Sequence, residues 1–141
     1  MVDEEIITDM ELARKTLSST DYSLVVVQYN KIWKQKKGEV IKTIIETIDE
    51  MGDEIKDTII GLRFLDKSSA FLCRYAKVKG VHAPKGTKTG IALLIMGGIP
   101  SLIDEMIPNL NNNETSLSFD NLIDNIESPE EAYKIIKDAV K

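Results

Sequence analysis

Apolar residues along the chain alternate between helical spacing and short β-branched runs, which predicts a series of alternating elements. Thr8 and Glu11 form a capping-box pattern around Met10, Ala13 and Leu17, predicting a first helix that stops at Ser18-Ser19-Thr20-Asp21. Residues 23–28 (SLVVVQ) read as a buried strand, Tyr29-Asn30 as a turn, and residues 31–36 (KIWKQK) as a polar return strand. Its lysines suit a sheet edge, where charge discourages pairing with another chain. After Gly38, the stripe Val40, Ile41, Ile44, Ile45, Ile48 and Met51 predicts a second helix, with Gly52 as its C-cap. Residues 59–65 (IIGLRFL) form a third strand. Asp66-Lys67-Ser68-Ser69 then opens a third helix, with Phe71, Leu72, Tyr75 and Ala76 facing inward and Gly80 beyond its end.

The second half continues the alternation. Residues 80–84 read as a short fourth strand and 85–89 as a Gly/Thr/Lys loop. A nearly uncharged helix over 91–96 follows, closed by Gly97-Gly98. An extended piece within 99–110 is broken by Pro100 and Pro108. Asn111-Asn112-Asn113 start a polar loop, expected to be mobile. Ser118 is placed to cap a short helix through Phe119, Leu122, Ile123 and Ile126. Ser128-Pro129-Glu130-Glu131 combines a capping box with proline at the first helical position, ahead of Ala132, Tyr133, Ile135, Ile136 and Ala139.

A hairpin followed by β-α-β-α-β units predicts an α/β fold, a three-layer α-β-α sandwich with a mixed sheet. With 141 residues the chain suits one domain, 1–141, with a helical C-terminal tail from about residue 118. Right-handed crossovers then bring the helix starts near Gly38 and Asp66 to one side of the sheet.

Composition narrows the chemistry. A net charge of −5 argues against stable binding to nucleic acid, whose affinity comes mainly from neutralising phosphates. No apolar run approaches the ~20 residues needed to span a bilayer. The acidic start, MVDEEIITDMELARK, is unlike a signal peptide, and a free thiol fits a reducing compartment, so a cytoplasmic protein is expected. One Cys and one His allow no internal disulfide and no structural zinc site. No metal and no cofactor are expected.

Each candidate has a plain reading beside its functional one. Gly86-Thr87-Lys88-Thr89-Gly90 lacks the glycine order of a phosphate-binding P-loop and reads as a loop with a threonine cap. Cys73 and His82 invite a nucleophile–base reading, but a cysteine beside Leu72 in mid-helix is usually a small core residue. Lysines 31, 34, 36, 37 and 42 read as a solvated hairpin, or as a screen around a crevice that Lys42 faces. Asp66-Lys67-Ser68-Ser69 stands at a strand-to-helix junction, where α/β folds place ligand groups on free backbone N–H donors. Asp66 or Ser68 serves there as a cap alone, or as a cap and ligand group together.

Several strings in order resemble an uncharacterised prokaryotic family of unknown function. They are Ala13-Arg14-x-x-Leu17, Ser23-Leu24-Val25-Val26-Val27, Gly38-x-x-Ile41-Lys42, Leu65-Asp66-Lys67-Ser68-Ser69-Ala70-Phe71-Leu72 and Tyr75-Ala76-x-Val78-Lys79. Val81-x-Ala83-Pro84, Gly98-Ile99-Pro100 and Ser128-Pro129-Glu130-Glu131-Ala132-Tyr133 complete the set. The resemblance covers nearly the whole chain and implies a cytidine-deaminase-like fold. Zinc deaminases set a His or Cys, with Glu two residues on, at one helix start and Pro-Cys-x-x-Cys at the next. Here those starts read Gly38-Glu39-Val40-Ile41-Lys42 and Asp66-Lys67-Ser68-Ser69. The ligand set is missing, so zinc-dependent deamination is not expected.

The expected function is binding of a small anionic or nucleotide-like ligand between the two helix starts. Gly38, Lys42, Asp66, Lys67, Ser68 and Ser69 form the site, and the loop 111–118 serves as a lid. The alternatives are a homo-oligomer packed through the sheet edge or the helix 91–96, and a metal-independent enzyme. That enzyme would use Asp66 or Lys67 for proton transfer, with Cys73 as a further nucleophile.

Overall fold

The computed structural model describes residues 4–108 and 117–140. Helix α1 spans Glu4–Ser18, so it begins ahead of the expected Thr8 cap and places Thr8 in its interior. Glu4 and Glu5 supply negative charge to its first turn, and Ile6 extends the apolar stripe through Met10, Ala13 and Leu17. Strand β1, Leu24–Gln28, pairs antiparallel with β2, Lys31–Lys36. Tyr29 and Asn30 between them both have left-handed φ, 55° and 58°, the conformation a two-residue hairpin turn requires.

Helix α2 is Val40–Met51, and Gly52 closes it with φ 57° and its N–H on the Ile48 carbonyl. Strand β3 is only Ile59–Leu62, shorter than the expected 59–65; Leu65 adds a single bridge to Gly86. Helix α3, Lys67–Ala76, ends at Lys77 in the left-handed conformation, three residues before Gly80. Strand β4, Gly80–Thr87, takes in most of the expected loop, because Lys85 to Thr87 pair with β5, Ser101–Ile107. Leu65 reinforces that stretch, donating to the Lys85 carbonyl and accepting from the Thr87 N–H. Helix α4, Lys88–Met96, starts directly afterwards.

Helix α5 is Leu117–Leu122, so it begins one residue before Ser118, the expected cap. Helix α6, Pro129–Ala139, opens as expected: Pro129 leads it and Ser128 accepts from the Glu131 N–H. Residues 111–116 of the expected lid lie outside the described residues.

The sheet runs β2-β1-β3-β4-β5, antiparallel through its first three strands and parallel from β3 to β5. Alternation along β1 sends Val25 and Val27 to one face and Leu24 and Val26 to the other. Ile6, Met10, Ala13 and Leu17 of α1 cover the first face. Gly61 makes room for them, since a side chain there would meet Val25 Cγ2 at 2.8 Å and Ala13 Cβ at 3.0 Å. Arg63 fastens the end of α1, donating to the carbonyls of Leu17, Thr20 and Tyr22.

The second face carries the larger core, built from α2, α3 and α4 around Ile41, Ile44, Phe71, Leu72 and Leu94. Helix α6 adds Ala132 and Ile136 against α3. The Tyr75 and Tyr133 rings stack with centroids 4.1 Å apart, and the Tyr133 hydroxyl donates to Asp49 of α2 at 2.6 Å. The result is the three-layer α/β sandwich with a mixed sheet. Among the described residues no helix is long and apolar enough to cross a membrane.

Candidate functional site

Strand direction decides where the helices begin. The register sets Leu24 opposite both Lys36 and Leu62, so β2 and β3 end at the same edge of the sheet. Strand β4 runs parallel to β3 and ends there too. Helices α2, α3 and α4 leave from those three strand ends, so Gly38, Asp66 and Thr87 all lie along one edge. Two strand spacings, roughly 10 Å, separate the ends of β2 and β3, which suits two helices packed side by side. The expected site residues therefore do share an edge.

The start of α3 is the most elaborate part. Asp66 is 1% exposed and caps the helix through a reciprocal pair of bonds. Its Oδ1 accepts from the Ser69 N–H and hydroxyl, both at 2.9 Å, while the Asp66 N–H donates to Ser69 Oγ at 2.8 Å. Ser69 is wholly buried and is spent on this cap. Ser68 faces α5 instead. Its N–H donates to Asp120 Oδ1 at 2.9 Å and its hydroxyl donates to the same oxygen. Lys67 reaches over the same segment and donates from Nζ to the Asp124 carbonyl at 3.0 Å. Burial pushes the Asp120 carboxyl above its usual range, against the opposing pull of the Ser68 bonds and the Lys67 charge.

The start of α2 is capped by Glu39, a residue the sequence reading passed over. Its carboxylate accepts from the Ile41 N–H at 3.0 Å and the Lys42 N–H at 3.1 Å. Lys42 itself is exposed on the first turn. Gly38 has φ 123°, a conformation that favours glycine, and its carbonyl accepts from the Ser23 hydroxyl. At α4, Thr87 accepts from the Gly90 N–H at 3.1 Å. Gly90 lies so close to α3 that a Cβ there would sit 2.9 Å from the Asp66 carbonyl oxygen.

Two partners were missed entirely, Glu39 and Asp120. Glutamate is an uncommon N-cap, and Asp120 is 52 residues from Ser68, beyond the reach of any local pattern.

The remaining candidates find structural partners. Cys73 is 1% exposed, and burial, with the nearby Asp66 charge, pushes its thiol to about 12. A thiol so held stays protonated and is a poor nucleophile. His82 lies on β4 with Nδ1 2.9 Å from the Leu102 carbonyl, which fixes the proton on that nitrogen. The hairpin lysines pair with acids: Lys34 and Lys36 with Glu50 at 3.0 and 2.7 Å, and Lys37 with Asp21 at 3.1 Å.

The residues at the helix starts do not fit a deaminase zinc ion. Glu39 and Asp66 are turned onto backbone N–H groups, and Cys73 sits in the interior of α3. His82 is held to β5 by the Leu102 carbonyl and lines a separate cleft with Arg14 and Asp104. Among the described residues no three His, Cys, Asp or Glu side chains gather as a metal site.

A hairpin followed by β-α-β-α-β on one mixed sheet defines the class: an α/β domain whose helix starts share one sheet edge. The chain belongs to the TM1506 family, a domain of unknown function (DUF1893), whose profile matches residues 12–140. It is similar to the crystal structure of the DUF1893 family protein TM1506 from Thermotoga maritima, with a TM-score of 0.82 at 21% identity. That match covers 99% of this chain and 92% of the Thermotoga chain. It is also similar to the dCMP deaminase of cyanophage S-TIM5 (TM-score 0.49, 13% identity), over 76% of this chain and 100% of that one. A further likeness is to Acinetobacter baumannii RibD (TM-score 0.48, 17% identity), over 72% of this chain and 34% of that one. Likeness of this degree brings no chemistry with it. No curated protein matches the sequence.

Proposed function

We propose that the chain is a binding domain whose site at the start of α3 takes the anionic group of a small, nucleotide-like ligand. One observation carries this reading. The Ser68 N–H and hydroxyl already hold a carboxylate oxygen, that of Asp120, with Lys67 beside it. A phosphate oxygen asks for the same donors, supplied here by a helix start and a hydroxyl. Asp120 is the group it displaces, and the burial that raises the Asp120 pKa makes that carboxylate a costly occupant at neutral pH. Lys42, exposed one turn into α2, supplies a second charge along the same edge. The interior thiol of Cys73 is in keeping with a reducing compartment, so the cytoplasm is part of the same proposal.

Amide NMR with cytidine 5′-monophosphate and with inorganic phosphate tests the site. Saturable shifts at residues 67–70, lost in Ser68→Ala and strengthened in Asp120→Asn, are the expected result. Absence of any saturable shift there with either probe overturns the reading.

A second reading, a homodimer, has its own support. Ile95 and Met96 of α4 and Met106 of β5 are 68%, 72% and 58% exposed, on a helix that carries no charge after Lys88. Light scattering at rising concentration decides it: a dimer broken by Ile95→Lys supports this reading, and a monomer throughout ends it.

A further inference from the structure

The opposite edge of the sheet carries a cleft that the ligand reading leaves unused. It lies where α3 and α4 end and β4 begins, with a volume of about 560 Å³, within the range of small-molecule sites. Arg74, Lys77 and Lys79 line it, together with apolar walls that include Ile6, Val78 and Ile99. No carboxylate is among its lining residues, in a chain whose net charge is −5.

Arg74 is built into place. Gly97 has φ −86°, a conformation open to any residue, so its own backbone gives no reason for glycine. The reason lies in its neighbour: a Cβ at Gly97 would meet Arg74 Nε at 2.9 Å and Arg74 Cγ at 3.0 Å. Its guanidinium carbon stands 5.9 Å from the centre of the Phe71 ring. Arg74 is thus packed against a bare backbone and near a ring, and among the described residues it makes no ion pair within 4.0 Å. Helix dipoles account for a cation at Arg74, in the last turn of α3, and at Lys77, its C-cap. They do not account for Lys79, which lies beyond the helix, or for the seat at Gly97. Glu130, at the start of α6, feels the charges of Lys77 and Arg74 but stands outside ion-pair distance of either. A held guanidinium with no carboxylate in direct contact, two lysines and an apolar floor make a receptor for a dianion attached to an apolar group.

We propose that this cleft is a second binding site, separate from the start of α3, for a small phosphate monoester with an apolar body. Arg74 grips the phosphate, Lys77 and Lys79 balance its second charge, and Val78 and Ile99 face the organic part.

Amide NMR of the full chain with phenyl phosphate, set against inorganic phosphate, tests this. The expected result is a saturable shift at Gly97, Gly98 and Ile99, with phenyl phosphate binding more tightly than inorganic phosphate. Arg74→Gln is expected to weaken binding about tenfold or more, as loss of a charged hydrogen bond does. Gly97→Ala keeps an allowed backbone while displacing Arg74, and is expected to weaken binding too. Lys79→Gln, at an exposed position, keeps the test open if the Arg74 variant fails to fold. No saturable shift at residues 97–99, or equal affinity in Arg74→Gln or Lys79→Gln, overturns the proposal. Shifts confined to residues 67–70 overturn it as well, while supporting the site at α3; the reverse pattern separates the two in the other direction.

Discussion

Asp120 of α5 accepts from both the backbone N–H and the hydroxyl of Ser68, at the start of α3. The contact joins segments 52 residues apart and lays a carboxylate on the end of a helix dipole.

That contact depends on pH. Burial raises the Asp120 pKa above its ordinary value of 3.8 in the folded protein. A raised folded pKa contributes stability that is full below 3.8 and is lost as pH rises through the folded value. Urea unfolding across the acid range is therefore expected to show wild type losing stability relative to Asp120→Asn as pH rises. A stability difference that is flat with pH contradicts it.

The single histidine gives the opposite sign. Burial, partly offset by the Leu102 carbonyl, lowers the His82 pKa below 6.5. Its stability contribution is full above 6.5 and is lost as pH falls through the folded pKa. One imidazole signal, followed by proton NMR, should titrate below the free value, and His82→Gln should remove this part of the acid sensitivity.

Cys73, with its thiol near 12 and its side chain in the core, should resist a disulfide reagent in the native protein. Labelling should follow the unfolding curve in urea. Stoichiometric labelling without denaturant would show that the thiol is accessible.

Gly61→Ala forces a methyl group against Val25, Ala13 and Leu17. Overpacking of this kind costs about 1–3 kcal/mol. Equilibrium unfolding should show that loss, with hydrogen exchange rising first in α1.

Periodicity found every α-helix and strand among the described residues, because each carries its own stripe or β-branched run; the single 3-10 turn at Gly52–Ile55 has no such pattern and was missed. Boundaries failed where distant partners decide them. Strand β4 continues to Thr87 because β5 and Leu65 supply hydrogen-bond partners that no local window contains. Helix α1 starts early because Ile6 packs on the sheet, which overrides the local capping pattern at Thr8. The Asp66 cap was legible as one of two candidates, with Ser68, in one tetrapeptide; that Ser69 closes it reciprocally was not. The Asp120 contact was not, because nothing near residue 120 points to residue 68.

The lone helix α1 has a consequence for how the protein comes apart. A small apolar stripe, the three Arg63 bonds, the Asn30 N–H on Asp9 and the Arg14–Asp104 ion pair hold it, whereas the far face shares a larger core among several helices. A transient detachment of α1 bares Val25, Val27 and Ile59 while leaving the helix starts at Gly38, Asp66 and Thr87 in place. The lightly fastened side thus sets resistance to proteolysis and aggregation: the edge at Gly38, Asp66 and Thr87 can outlast its loss, whereas the cleft beside Arg74 loses its Ile6 wall.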